Sequence, residues 1–281
     1  MDNAAAKANQ FKTWQGVAPG WKKWNDVMRR QTMPATDRFV AAIRPGQRVL
    51  DIASGVGEPA ISIAEKVGPT GSVLGTDLVE EMLVSAREHA ASRGVKNIEF
   101  KHVDGEALDV PKGSFDVVTM RWGLMFMPDA VACLTRARAA LKPGGTILLT
   151  CWSAPAKNPW AAIPMGVLSR HIEMPTPAPG APGLFAFADG SRLRATIEEA
   201  GFSNVTLEEV ELPMTDFATG QEFLTFTLEL AGPIAMFFSR VSQDERTAVA
   251  NEIARDVERA GGGRAKLPGV TWFATATTGR A

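Results

Sequence analysis

The stretch that most constrains this chain is Val49-Leu50-Asp51-Ile52-Ala53-Ser54-Gly55-Val56-Gly57-Glu58-Pro59-Ala60. Its apolar start reads as a buried strand, its small residues as a tight turn, and its end as a helix start. At Gly55 and Gly57 the backbone passes with no side chain to keep a ligand away. The helix that opens near Glu58 points its free N–H groups at the same spot. Such a unit predicts a parallel sheet with a nucleotide-like ligand at the carboxyl edge of its strands.

The rest of the chain supports that sheet. Strands are expected at Arg48 to Ala53, Ser72 to Thr76, Asn97 to His102, Ser114 to Met120 and Thr146 to Trp152. Helical spacing fills the gaps at Glu58 to Lys66, Val79 to Arg93 and Asp129 to Leu141. The last of these closes on Lys142-Pro143-Gly144-Gly145, a strong stop-and-turn signal. Strand–helix alternation predicts an α/β fold: a Rossmann-like, seven-stranded, mostly parallel sheet with helices on both faces. Before it, residues 11–43 predict two or three helices broken near Pro19-Gly20 and Met33-Pro34. After Trp152 the rhythm changes to Pro- and Gly-rich sequence. A sixth strand is expected at Ser203 to Leu212 and a last one at Val270 to Thr277. The expected division is a helical N-terminal arm (1–44), a core (45–152) and a lid insertion (153–190). A core continuation (191–212), a helical lid insertion (213–268) and a last strand with tail (269–281) follow.

Charge and composition exclude several classes. A net charge of −1 without a basic block argues against a nucleic-acid partner. Cys133 and Cys151 form no metal-spaced cluster and no disulfide framework, which makes a reducing cytoplasm the default and leaves no metal expected. No 18-residue apolar run is present, so no membrane span is expected. A homodimer stays open.

The glycine loop satisfies two templates. Gly55-x-Gly57-x-x-Ala60, with Asp77 20 residues past Gly57, fits a dinucleotide fingerprint and an NAD(P)-dependent oxidoreductase. The wider context fits something else. Val49-Leu50-Asp51-x-Ala53-x-Gly55-x-Gly57, Asp77, Asp104-Gly105-Glu106-Ala107, Phe115-Asp116-Val117-Val118 and Leu141-Lys142-Pro143-Gly144-Gly145 follow one another across residues 45–152. In order and spacing they resemble the class I S-adenosylmethionine-dependent methyltransferases, most closely the ubiquinone/menaquinone-biosynthesis type that acts on small molecules.

The resemblance implies S-adenosyl-L-methionine as cofactor and S-adenosyl-L-homocysteine as product. It places Asp51, Ala53, Ser54, Gly55 and Gly57 at the methionine end and Asp77 on the ribose hydroxyls. Leu78, Asp104, Gly105 and Glu106 belong to the adenine side. Asp77 also has an alternative role as a helix cap. Arg121 is a candidate for the methionine carboxylate or a substrate anion. The implied function is methyl transfer by in-line displacement to an O, C or N atom of a small aromatic or lipophilic molecule. A non-catalytic S-adenosylmethionine-binding protein is a further reading. Trp122 and Phe126, just after the expected fourth strand where the transferred methyl should sit, and Trp21, Trp152 and Trp160, among the aromatic and Met residues of the arm and lid, are candidate substrate contacts. Of the three histidines, His171 is the candidate base, lying in the expected first lid insertion.

Overall fold

The computed structural model describes residues 3–175 and 180–279; residues 176–179 of the expected first insertion lie outside them. The strands are β1 (Arg48–Ile52), β2 (Ser72–Asp77), β3 (Ile98–His102), β4 (Phe115–Arg121), β5 (Leu141–Trp152), β6 (Ser203–Phe217) and β7 (Ala265–Thr277). They form one seven-stranded sheet in the order β3-β2-β1-β4-β5-β7-β6. The first five strands are parallel, whereas β7 runs antiparallel to both β5 and β6. Apolar residues fill both faces of β1 and β4, as central parallel strands require.

Chain order explains where a ligand can sit. From β1 the chain winds outward through β2 and β3, then returns to lay β4 on the other side of β1. The connections beyond β1 and β4 therefore diverge and leave a crevice at the carboxyl edge. Helices α1 (Asn3–Lys23), α2 (Asn25–Gln31) and α3 (Met33–Ala42) precede the sheet. Within it lie α4 (Ala60–Val67), α5 (Glu80–Ser92) and α6 (Ala130–Ala140), followed by α7 (Pro159–His171) and α8 (Gly190–Glu199). The last helices are α9 (Gly220–Leu230), α10 (Gly232–Phe238) and α11 (Arg246–Ala260). Helices α3 and α4 pack together, and α6 packs on α8. Helix α5 packs on β2 and β3, and a cap forms where α9 touches α1, α10 and α11 and α11 touches α7.

Two expectations change. No break occurs at Pro19-Gly20: α1 runs through Pro19 to Lys23, and the chain turns at Trp24 instead. Gly20 is there for packing, since a Cβ on it would lie 2.0 Å from the Glu229 carbonyl oxygen of α9. The final antiparallel pair is also longer than its apolar pattern suggested. β6 continues to Phe217 and β7 begins at Ala265, with a register shift between Leu212 and Thr215 around Pro213. A proline has no N–H for the ladder, so a bulge is where a strand tolerates it.

Candidate active site

A cavity of about 210 Å³ opens above the crevice between β1 and β4. Its floor is the glycine loop. Ala53, just after β1, has φ +58°, and Trp122, just after β4, has φ +57°. Non-glycine residues seldom occupy this region, and such strain gathers at ligand sites. The two loops brace each other: a Cβ on Gly123 would come within 2.6 Å of the Ala53 Cβ. Gly57, at φ +112°, does not line the cavity; its missing side chain leaves room for Ile61 and Ala86.

Asp77 closes the loop from the end of β2. Its Oδ2 accepts the Gly55 N–H at 2.8 Å and its Oδ1 accepts the Val79 N–H at 2.9 Å. Burial raises its pKa against the opposing pull of these N–H groups. Each oxygen keeps a second lone pair, and Asp77 lines the cavity together with Leu78. The cap role and the ligand role are thus compatible.

Asp104, Gly105 and Glu106 line the next section of wall. Asp104 Oδ1 accepts the Glu106 N–H at 2.9 Å, and Glu106 Oε1 accepts the Asp129 N–H at 2.8 Å. Lys7 of α1 spans both acids, with Nζ 2.7 Å from Asp104 Oδ2 and 2.7 Å from Glu106 Oε2. Burial alone would lower the Lys7 pKa, but the two carboxylates outweigh it and raise it. Nothing local in the sequence marks Lys7; its partners are about a hundred residues away, and only the docking of α1 unites them.

The third wall is charged and then aromatic. Arg121 ends β4 and donates from Nη1 to the Thr32 and Thr36 hydroxyls, each at 3.0 Å. Burial lowers its pKa, while Glu58 and Asp51 act in the opposite direction from a distance. No salt bridge to a carboxylate within 4 Å is found for it among the described residues. Beside it Trp122 stacks on Trp152, with centroids 4.6 Å apart and planes at 10°, and Trp152 meets Trp160 at 4.9 Å. The Trp122 Nε1–H donates to Thr271 Oγ1 at 3.0 Å, and the Trp160 Nε1–H donates to Asn158 Oδ1 at 3.1 Å. Their indole N–H groups are thereby satisfied, leaving apolar ring surface for the cavity. Phe126 and Trp21 complete the wall with Trp14, whose ring lies 4.8 Å from that of Phe126.

The structure thus brings Ala53, Ser54, Gly55, Asp77, Leu78, Asp104, Gly105, Glu106, Arg121, Trp122, Phe126, Trp152, Trp160 and Trp21 to one cavity. It does not bring Asp51 there. That carboxyl lies beneath the loop, fully buried, with Oδ1 accepting from Thr119 Oγ1 at 2.6 Å. Burial pushes its pKa up to about 6, against the opposing pull of the Thr119 and Ser54 hydroxyls and of the Arg121 charge. Nor is His171 brought there. It follows Trp160 by 11 residues along α7, about 16 Å of helix axis. Its Nε2 lies 2.7 Å from Glu252 Oε2 of α11, and Arg170 joins the same ion-pair cluster. His171→Ala is expected to leave turnover within about twofold and to cost under about 1 kcal/mol of stability. Steady-state rates and urea unfolding check this; a rate loss above about a hundredfold would return His171 to the chemistry.

Glu58 was not singled out by its pattern. It lies directly after the loop, buried, at the cavity wall. An acidic residue at a loop-to-helix junction is the only local signal, and capping explains such residues often enough to hide it.

With this geometry in view, the relatives are informative. The model of the ubiE/COQ5 methyltransferase family matches residues 6–172. The chain belongs to this family. A ubiquinone/menaquinone biosynthesis C-methyltransferase, UbiE, of Pseudomonas entomophila is 32% identical over 208 residues, covering 69% of this chain and 81% of the relative. The same enzyme of Pseudomonas putida strain F1 is 36% identical over 151 residues. That match covers 52% of this chain and 59% of the relative, so the chain spans about three-fifths of that relative's length. Among solved structures, the YcgJ protein of Bacillus subtilis superposes with a TM-score of 0.58 at 17% identity, over 88% of this chain and 99% of that one. The expected Rossmann-like methyltransferase fold and the resemblance to the ubiquinone/menaquinone type are both borne out. The oxidoreductase alternative finds no support in these relatives. Among the described residues no His, Cys, Asp and Glu cluster is arranged to hold a metal, and no helix is long and apolar enough to cross a membrane.

Proposed function

We propose that this chain transfers the methyl group of S-adenosylmethionine to a ring carbon of a small phenolic or hydroquinone-like molecule. The carrying observation is the Trp122–Trp152–Trp160 wall next to the end of β4, in the same cavity as Asp77 and Arg121. The names of the UbiE relatives, as C-methyltransferases of quinone biosynthesis, favour carbon over oxygen or nitrogen.

The donor supplies an electrophilic methyl on a sulfonium, so the protein's work is alignment and exclusion of water. In this reading Asp77 accepts the ribose hydroxyls and Asp104 the adenine amino group. Arg121 receives the methionine carboxylate, for which a forked guanidinium is well shaped. The indole wall holds the acceptor ring flat and dry, and α1 closes the cavity with Lys7 and Trp14. An acceptor carbon ortho to a phenolic oxygen is already electron-rich; it takes the methyl as S-adenosylhomocysteine leaves, and the proton on that carbon is then lost to solvent as the ring rearomatises. We place the enzyme in the cytoplasm, where Cys133 and Cys151, both buried and free, need no oxidising partner.

The test is incubation with methyl-labelled S-adenosylmethionine and a panel of naphthohydroquinones, benzohydroquinones and simple phenols, with and without a short prenyl tail. The expected result is one labelled methyl on a ring carbon and one S-adenosylhomocysteine released per turnover. Exclusive O- or N-methylation would overturn the carbon assignment. Thermal stabilisation by NADH and not by S-adenosylhomocysteine would overturn the cofactor.

A further inference from the structure

Two charged groups at the loop end of the cavity are only partly matched by their neighbours. One is Arg121, whose direct partners are the hydroxyls of Thr32 and Thr36. The other is Glu58, whose side chain is only 4% exposed. Its Oε1 is held by Arg93 and by the Ser62 hydroxyl, which donates at 3.0 Å. Its Oε2 is buried and has no hydrogen-bond partner. A buried carboxylate oxygen left unmatched is costly, so a fold that retains one commonly reserves it for a ligand.

Glu58 and Arg121 line the same cavity beside Gly55, and the Glu58 charge favours the charged form of Arg121. An α-amino acid carries one cationic and one anionic end on a single carbon. That is the complement of a carboxylate and a guanidinium facing a glycine loop. We propose that Glu58 Oε2 accepts the α-ammonium group of the cofactor's methionine moiety and so makes the site selective for an intact amino acid end. This rests on the S-adenosylmethionine reading of the cavity. Arg93 is a positioning residue in this arrangement. By holding Oε1 it fixes the carboxylate plane and leaves Oε2 for the ligand, an ordering that removes rotamer loss at the moment of binding.

The ligand itself supplies the test. Calorimetric titrations compare S-adenosylhomocysteine with its deamino analogue, in which the α-ammonium is replaced by hydrogen. The wild-type protein is expected to bind the complete ligand at least about tenfold more tightly. In Glu58→Gln the complete ligand should weaken by about tenfold, while the deamino analogue changes by less than about twofold. Equal weakening of both ligands would show that Glu58 only supports the loop through Arg93, and would overturn the proposal. So would equal wild-type affinities. If the Gln variant does not fold, Glu58→Asp keeps the charge for Arg93 but withdraws the oxygen; selective loss of the complete ligand supports the proposal and parallel loss overturns it. Wild-type protein that binds neither ligand overturns the cofactor reading itself, a result distinguishable from all of these.

Discussion

Asp77→Ala is expected to weaken S-adenosylhomocysteine binding by at least about tenfold and to cost about 2 kcal/mol of folding stability. The two losses have separate causes. Stability falls because the Gly55 and Val79 N–H groups lose the oxygens that accept from them at 2.8 and 2.9 Å. Each partly buried donor left without an acceptor costs roughly 1–3 kcal/mol, less whatever water recovers. Affinity falls because the loop floor loosens and the ribose loses its acceptor. Asp77→Asn sharpens the point: its amide NH₂ cannot accept from either backbone donor, so one contact is replaced by a clash of donors. Calorimetry for binding and urea unfolding for stability separate the terms. Unchanged affinity in the Ala variant would remove Asp77 from the ligand site.

Asp51→Asn is expected to gain stability relative to the wild type as pH rises, by up to about 3 kcal/mol between pH 4 and pH 7. Burial holds the Asp51 carboxyl near a pKa of about 6, above the 3.8 of an unhindered aspartate. The folded protein therefore binds this proton more tightly than the unfolded chain does. Between those two values the wild type loses stability with rising pH, whereas an asparagine does not titrate. The Asn Oδ1 still accepts from Thr119, so the contact at 2.6 Å need not be lost. Urea unfolding of both proteins across pH 4–8 checks the slope. A difference independent of pH would mean that Asp51 titrates normally in the fold.

These two aspartates mark how far sequence reasoning reaches. Both follow from local pattern, one inside the first strand and one at the end of the second. The parallel sheet, the glycine loop and the Asp104-Gly105-Glu106 turn were legible for the same reason: each is marked by a short local pattern. What escaped depends on distant packing. Lys7 meets Asp104 across 97 positions, and the Trp21 indole N–H reaches the Leu230 carbonyl across 209. Pro19-Gly20 resembled a helix break because the close approach of Glu229 is invisible in the chain itself. His171 stands at the far end of α7 from Trp160, and which end of α7 faces the cavity is decided by its packing on α11. Glu58 was read only as the start of a helix, and its unmatched oxygen becomes meaningful only once Arg93 is seen to occupy the other.

The tryptophan wall has an optical consequence. The chain has seven tryptophans and no tyrosine, and Trp14, Trp21, Trp122, Trp152 and Trp160 all border the cavity. Ultraviolet emission from this protein is therefore expected to originate mainly around this cavity, without a phenol background. The near-parallel Trp122–Trp152 pair, 4.6 Å apart, couples its transitions and gives a near-ultraviolet dichroic band that follows the spacing of the two rings. Entry of a flat guest beside that pair alters both signals, so the native chain reports occupancy with no added dye.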